Sequence, residues 1–262
     1  MKRNLRPASL LKTLRQKLER HYAVVSAGEK RLRLWVGVLQ AAFIAATFLK
    51  VLMTRDYSNI KICLMTLFAV QIPAAVEILL HCKMHPALYV TGSVYALGPM
   101  LGDCYRLFYR TVWFDNALHT LGGVLFALIS AFIMQMLLGS DKNRKAIALF
   151  AFCFSIAVSA LWEIAEFAGD SLFDMDEQND TIVYSIHSHL LAGETGATVH
   201  IEGIQETSLN GGEKTLRGYL DIGLIDTMRD IIVETLGALG AANAVFFSKE
   251  RLSMCTPLEY GA

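Results

Sequence analysis

The sequence predicts an all-α fold, a polytopic membrane bundle of about six transmembrane helices with a long acidic outer loop. Of its 262 residues, 54% are hydrophobic and 18% are charged, and the mean hydropathy of +0.41 is too high for an ordinary soluble domain. The apolar residues come in blocks of about 20, the length that a helix needs to cross a bilayer. The net charge is zero, so composition gives no argument for nucleic acid as a partner, and membrane lipids are the expected surroundings.

The cysteines and the start of the chain narrow the class of membrane protein. The five cysteines are scattered and have no CxxC spacing, which predicts free thiols rather than a disulfide framework or a zinc site. The first apolar run begins only near Leu34, behind a long polar and basic stretch. This order disfavours a cleavable signal peptide and favours a first span that stays in the membrane as an anchor.

Residues 1–33 form a basic N-terminal segment with ten Lys or Arg against two Glu. Its leucines recur at helical spacing among the basic residues, at Leu10, Leu11, Leu14 and Leu18. The pattern is typical of an amphipathic helix on anionic lipid, and it fits a solvated cytoplasmic tail equally well.

A transmembrane domain over residues 34–248 follows, and residues 249–262 are the expected cytoplasmic tail. Its six predicted spans are 34–53, 62–80, 86–102, 117–139, 146–168 and 222–247. Sixteen Lys or Arg flank the spans on the side of the N-terminus, and seven lie on the other side. By the positive-inside rule, both termini are predicted to be inside.

The segment 169–220 is then outside, and it carries nine acidic residues against two basic ones. Residues 181–191 and 198–206 alternate between apolar and polar around a Gly-containing turn, which predicts a β-hairpin. A structureless loop of this length is uncommon unless it is functional. The segment is therefore predicted to be either a lid over a site or a mobile acidic loop.

Two carboxylates interrupt the fifth span, in the run Trp162-Glu163-Ile164-Ala165-Glu166-Phe167. The spacing of three residues places Glu163 and Glu166 on one face of a helix. A carboxylate inside an apolar span is costly, and such residues mark functional sites by default.

Other polar residues lie at the same depth as these two carboxylates. With a rise of about 1.5 Å per residue, counting from the inner ends brings them all near the outer edge of a core about 30 Å thick. The groups are Asp115 with His119, Glu163 with Glu166, and Asp226 with Asp230 and Glu234. Each group occupies one helix face, so we expect the faces to share a cavity open to the outside.

Like charges so close together in a low dielectric do not stay bare, so either several are protonated or a cation is bound. The predicted metal ligands are Asp115, His119, Glu163, Glu166, Asp226 and Asp230, and the predicted catalytic residues are Glu163, Glu166 and Asp230. Carboxylates with one histidine suit Mg²⁺, Mn²⁺, Ca²⁺ or iron. The alternatives are that Asp115 caps a helix and that Asp226 and Asp230 form a structural ion-pair cluster with Arg229.

The pattern Asp115-x-x-x-His119, Glu163-x-x-Glu166 and Asp226-x-x-x-Asp230, followed by Gly237 and Gly240, resembles the bacterial YjdF-like inner-membrane family. More distantly it resembles VanZ-like proteins, although Glu234 stands where their last helix carries an Asn. The resemblance covers roughly residues 113–245. It implies a multi-pass protein of the bacterial cytoplasmic membrane without an established reaction. VanZ-like proteins are associated with glycopeptide resistance, but this association does not identify a reaction.

Three functions fit these observations. The first is a cation- or proton-using site that faces the envelope and acts on, or binds, a lipid or a cell-wall precursor. If it is an enzyme, a metal-activated water with one Glu as base is the expected chemistry. The second is a proton- or cation-coupled transporter, although transporter sites usually lie near the midplane. The third is a structural or accessory membrane protein whose polar cluster holds helices together.

Overall fold

The computed structural model describes residues 25–80, 82–111, 113–138, 143–248 and 255–257. In chain order its elements are α1 (Ala27–Thr54), a 3₁₀ turn (Tyr57–Asn59), α2 (Ile60–Ala69), α3 (Ile72–Leu79), β1 (Cys82–Met84), α4 (Pro86–Tyr95), α5 (Gly98–Cys104), α6 (Leu107–Arg110), α7 (Phe114–Leu138), α8 (Arg144–Phe173), β2 (Thr181–Val183), β3 (Ser185–Ser188), a 3₁₀ turn (Leu190–Thr195), β4 (Val199–Glu202), β5 (Thr207–Leu209), a 3₁₀ turn (Asn210–Gly212), β6 (Lys214–Leu216), β7 (Tyr219–Asp221), α9 (Leu224–Phe247) and β8 (Cys255–Pro257).

The described chain is mostly helical, which confirms the predicted polytopic membrane fold. Five stretches of it are long and apolar enough to cross a membrane, namely α1, Tyr57–Leu79, α7, α8 and α9. The leucines that predict an amphipathic N-terminal helix lie outside the described residues. The described residues fall into two compact units: those up to Ser155 together with those from Glu234 onward, and Ile156–Val233.

The prediction of one continuous helix over the third span, 86–102, is wrong, because this stretch forms two short helices. α4 has 10 residues and α5 has 7. This stretch is not among the five candidate spans found in the described residues. The break falls at Ala96-Leu97, just before Pro99, which has no amide to donate to the carbonyl of Tyr95 four residues earlier.

α1 in the first unit has the reverse of the amphipathic pattern of a soluble protein. The side of the helix that packs inward carries several polar residues, and its buried positions are Arg33, Gln40, Ile44, Thr47 and Val51. Leu34 and Trp35 are instead more than half exposed, at 65% and 61%. Apolar residues outside and polar residues inside are what a lipid-embedded helix requires, since each polar group in lipid needs an internal partner.

Arg33 and Glu77 form a closed ion pair between α1 and α3. Nη2 of Arg33 donates to Oε1 of Glu77 over 2.6 Å, and Nε donates to Oε2 over 3.2 Å. The amide of Met84 donates to Oε1 of Glu77 over 2.7 Å, and the guanidinium lies 4.8 Å from the ring centroid of Tyr89. Arg33, which the sequence placed in the basic N-terminal segment, is therefore part of the packed interior.

Three described segments meet at one end of the first unit. β1 pairs in antiparallel register with β8, from Cys82 opposite Pro257 to Met84 opposite Cys255. Lys83 of β1 pairs with Glu29 in the first turn of α1, with 3.2 Å between Nζ and Oε1. The start of α1, the end of α3 and the chain after α9 consequently lie on the same side of this unit.

Small residues fill the core where α7, the first part of α8 and the last part of α9 pack together. The buried members are Ala127, Ala131, Ile147, Ala148, Ala151, Ala238, Ala241, Ala242 and Val245. Alanine side chains allow helix backbones to approach closely, and close approach is the main source of van der Waals attraction between helices in lipid.

The second unit contains three antiparallel strand pairs between α8 and α9: β2 with β7, β3 with β4, and β5 with β6. The β3–β4 pair confirms the predicted hairpin, with His187 opposite His200. Asp170 of α8 accepts hydrogen bonds from the amides of Glu177 and Gln178, over 2.6 and 3.0 Å. These bonds fix the direction in which the chain leaves the helix.

Candidate functional site

Asp115 and His119 lie on one face of the first turns of α7. Trp113 and Phe114 precede them, and an exposed tryptophan before an apolar helix is typical of a membrane interface. The spacing of four residues brings Oδ1 of Asp115 to 3.7 Å from Nε2 of His119. Both side chains are mostly buried, with exposed fractions of 20% and 12%.

Glu234 of α9 approaches the same histidine from its other side. Oε2 of Glu234 lies 3.6 Å from Nδ1 of His119, so each ring nitrogen faces a different carboxylate. Glu234 is 4% exposed, and its Oε1 has no hydrogen-bond partner among the described residues. The first unit thus holds a buried Asp–His–Glu group with unused capacity to accept hydrogen bonds or to bind a cation.

Two glycines allow α7 and α9 to come this close. A Cβ atom added to Gly123 would collide with the backbone carbonyl of Glu234, and one added to Gly237 would collide with the carbonyl of Thr120. The hydroxyl of Ser155 on α8 also donates to the carbonyl of Gly123 over 3.0 Å. Because the two backbones touch here, the carboxylate of Glu234 reaches His119.

The sequence places Glu234 on the face of Asp226 and Asp230, at spacings of eight and four residues, and so toward the expected cavity. The predicted ligands nevertheless leave Glu234 out, and the structure brings it to His119. The available signal is Gly237, one turn beyond Glu234. A small residue on the polar face of an apolar helix indicates a close crossing beside that face.

On α8, Glu163 ends a buried line of residues spaced four apart that runs Ile147, Ala151, Ser155, Ser159, Glu163. Glu163 is 4% exposed. Glu166 is half-buried, and its Oε1 accepts a 2.6 Å hydrogen bond from Nε1 of Trp162. The two carboxylates therefore differ in surroundings, since one lies on the packed face and the other is held by an exposed tryptophan.

On α9, Asp226 and Asp230 are buried, with exposed fractions of 6% and 2%. Oδ2 of Asp226 accepts hydrogen bonds from the amide and the side chain of Asn179, over 2.8 and 3.2 Å. Asp230 lies one turn before Glu234, on the same face of the helix. Of the predicted ligands, the first unit brings together Asp115 and His119; a cavity shared by all six stays a prediction.

The comparisons with known proteins give a family but no activity. A family model described as "Predicted membrane protein (DUF2238)" matches residues 35–251. No curated protein and no solved structure matches the chain. The match supports a membrane protein of unknown function, and nothing in it bears on the YjdF-like or VanZ-like resemblance.

Proposed function

We propose, from the premise that the chain belongs to the DUF2238 family of predicted membrane proteins, that it binds a divalent cation among its membrane-spanning helices. The proposed ligands are Asp115, His119 and Asp230, with Glu234 behind the histidine. The cation and the carboxylates of α8 then bind, or act on, an envelope lipid or a cell-wall precursor.

The observation that carries this proposal is the buried carboxylate of Glu234. A carboxylate oxygen removed from water and left without a partner costs free energy, more so if it is charged. Oε1 of Glu234 is in that position among the described residues, and Oε2 is 3.6 Å from an imidazole nitrogen. A cation beside the group offsets the cost, whereas a purely structural cluster gains nothing from leaving an acceptor unused.

The arrangement of His119 fits a ligand that is oriented by a second carboxylate. Histidines that bind metals usually donate the other ring N–H to a carboxylate, which fixes the ring and its tautomer. Here Nδ1 faces Glu234 and Nε2 faces Asp115. We therefore assign Nε2 and Asp115 to the cation and Glu234 to the orientation of the ring.

Asp230 completes the proposed ligand set through its position on α9. Residues four apart on a helix have neighbouring side chains, so Asp230 lies beside Glu234 on the same face. Two carboxylates and one imidazole suit Mn²⁺ or Fe²⁺ better than Mg²⁺ or Ca²⁺, which prefer oxygen ligands alone. Mn²⁺ is therefore the metal used in the tests.

The substrate class is inferred from the surroundings of the site. Asp115, Asp226 and Asp230 fall in the first turns of their helices, so a ligand reaches them from the level of lipid headgroups. A divalent cation at such a site supplies Lewis acidity toward a phosphoryl or carbonyl oxygen. Glu163 and Glu166 are the proposed bases, and Glu163 is the stronger candidate because it is buried.

The experiment is metal analysis and thermal unfolding of the purified full-length protein, with Mn²⁺ or with a chelator. We expect the wild type to bind Mn²⁺ and to melt at a higher temperature with it. His119→Gln, Asp230→Asn and Glu234→Gln should each reduce the metal content and this stabilisation. Glu206→Gln, an exposed carboxylate of the acidic segment, is the control and should change neither.

Metal-insensitive melting that is identical in the wild type and in His119→Gln would replace this function with the structural one. A proton-coupled carrier is the second candidate, and the observation that favours it is the histidine between two carboxylates, since such a chain can pass a proton. Liposomes under a pH gradient distinguish the two: proton flux lost in His119→Gln and independent of Mn²⁺ favours the carrier.

An outward-facing site in the bacterial cytoplasmic membrane also requires both termini to be inside. The charge count supports this orientation, and so does the meeting of the start of α1 with β1 and β8, which puts basic segments on one side. A reporter fused after Asn210 should be exported, and one fused at the C-terminus should stay in the cytoplasm. A cytoplasmic signal from the Asn210 fusion would contradict the proposed orientation.

A further inference from the structure

A pair of histidines on the β3–β4 hairpin of the second unit has no role in the proposed function. His187 and His200 are directly opposite each other in the antiparallel register, and both are exposed. Their ring centroids are 5.6 Å apart, with an angle of 29° between the ring planes. Two imidazoles held side by side on a strand pair form a preorganised pair of nitrogen ligands.

The spacing of the two rings matches a shared metal ion. With metal–nitrogen bonds of about 2.1 Å and tetrahedral geometry, two histidines on one ion place their ring centroids about 5 Å apart. The observed 5.6 Å is close to this value, and the paired strands hold the two rings at this spacing.

The same face of the hairpin offers a third ligand. Side chains alternate along a strand, so Glu202 lies on the face of His200, and Ile186 and Ile201 lie on the opposite face. Glu202 is also the diagonal neighbour of His187, a separation of about 7–8 Å between Cα atoms that long side chains can span. Its carboxylate is exposed.

We propose that His187, His200 and Glu202 bind one transition-metal ion of the Zn²⁺ class at the surface of this hairpin. Two imidazoles and one carboxylate select zinc, copper or nickel over magnesium and calcium, and water completes the coordination. The surrounding segment 169–220 has nine acidic residues against two basic ones, which raises the local concentration of cations. This site is separate from the one proposed for α7 and α9, and it goes beyond that function.

His189 provides a matched control on the same hairpin. It follows β3 by one residue, and its Nδ1 lies 3.3 Å from the carbonyl of Gly196, toward the connecting turn. The hydroxyl of Thr198 is 3.4 Å from both of its ring nitrogens. His189 therefore has partners of its own within the turn and is not needed by the proposed metal site.

The test is calorimetric titration of the full-length protein with Zn²⁺ in a His119→Gln background, which removes the proposed intramembrane ligand. We expect one Zn²⁺ to bind, and His187→Gln or His200→Gln to weaken binding on the order of tenfold or more. His189→Gln should leave the affinity unchanged. His187→Phe keeps an aromatic ring opposite His200 and removes its nitrogens, so it separates loss of a ligand from loss of the hairpin.

Absence of Zn²⁺ binding, or equal binding by His187→Phe and the parent, would overturn the proposal. Equal weakening by His189→Gln would overturn it as well, because binding would then depend on histidine content rather than on this face. Failure here leaves the Mn²⁺ response of His119 and Glu234 untouched, so the two sites succeed or fail independently.

Discussion

Among the described residues of the first unit, two groups of titratable side chains are packed between helices, and they differ in how completely they are paired. Between α1 and α3, Arg33 and Glu77 are in direct hydrogen-bonded contact at 2.6 Å, and the Met84 amide donates to the same carboxylate. Between α7 and α9, His119 and Glu234 are 3.6 Å apart, and Oε1 of Glu234 has no hydrogen-bond partner among the described residues.

The difference separates a structural contact from a site. Charges buried away from water are tolerated when good geometry and additional hydrogen bonds satisfy them, and the Arg33–Glu77 pair meets both conditions. A separation of 3.6 Å is longer than a direct hydrogen bond, so His119 and Glu234 are not closed on each other. The α1–α3 pair is therefore complete by itself, while the α7–α9 group keeps an acceptor that a ligand can use.

The largest effect is expected from breaking the complete pair. Glu77→Gln or Arg33→Met leaves one charge buried without its partner, and we expect a loss of about 3–5 kcal/mol in the free energy of unfolding. The double variant Arg33→Met/Glu77→Met should recover part of this loss, because no charge is then left behind. The Met84 amide remains unpaired, so recovery should stop about 1–3 kcal/mol short of the wild type.

Denaturant unfolding of the purified protein in detergent measures these differences, and Asp56→Asn at an exposed turn serves as the control. Additive losses in the double variant would mean that the two side chains do not stabilise each other, and the contrast with the α7–α9 group would disappear. Mn²⁺ should have the same effect on Glu77→Gln as on the wild type, since this pair lies outside the proposed cation site.

The next effect concerns the distance between α7 and α9. Gly237→Ala introduces a Cβ that collides with the carbonyl of Thr120, so the helices must separate. We expect a loss of about 1–3 kcal/mol, the usual cost of overpacking, together with weaker Mn²⁺ binding because Glu234 moves away from His119. Gly240→Ala, three residues further along, meets no atom within 4 Å and should change neither property.

Thermal unfolding and Mn²⁺ titration of the two variants measure both quantities in one protein. Equal behaviour of Gly237→Ala and Gly240→Ala would show that close approach of the helices does not position the group. A stable Gly237→Ala variant that has lost only Mn²⁺ binding would sharpen the comparison, since it would separate positioning from packing.

The fold was largely predictable because hydropathy reports directly on the lipid that surrounds a helix. The third span is interrupted for a local reason: a hydropathy window averages over Pro99, whereas this proline removes the hydrogen bond that would join the turn of Tyr95 to the next one. The β3–β4 hairpin was predictable because alternation and a turn signal agree within one short segment.

The candidate site was predictable only within each helix. The spacing of Asp115 and His119 indicates one face, but which helix lies opposite depends on contacts between residues far apart in sequence. Glu234 is such a residue, and so is Glu77, which is 44 positions from Arg33. Gly123 and Gly237 are the clearest local signs of where two helices touch. Each glycine alone does not show which helix lies opposite it.

The smallest effect is expected in the acidic segment 169–220, a third polar region whose carboxylates are mostly exposed. Asp180 is exposed there, outside the five candidate spans. Partial burial and the nearby carboxylates of Asp176, Asp221 and Asp170 raise its pKa above the ordinary value. A raised folded-state pKa favours the protonated form, so its contribution to stability is present at low pH and is lost as the pH rises from about 4 through the folded-state pKa.

Hydrogen exchange of the amides in β2 and β7, which flank Asp180, measures this effect after correction for intrinsic rates. We expect greater protection near pH 4 than at pH 7 in the wild type, by less than a factor of about ten, the factor that one full pKa unit gives. Asp180→Asn removes the charge and should raise protection at pH 7 to the low-pH level, while Glu206→Gln should keep the wild-type dependence. Greater protection of the wild type at pH 7 would contradict this prediction. It would mean that the charge on Asp180 stabilises the β2–β7 pair instead of weakening it.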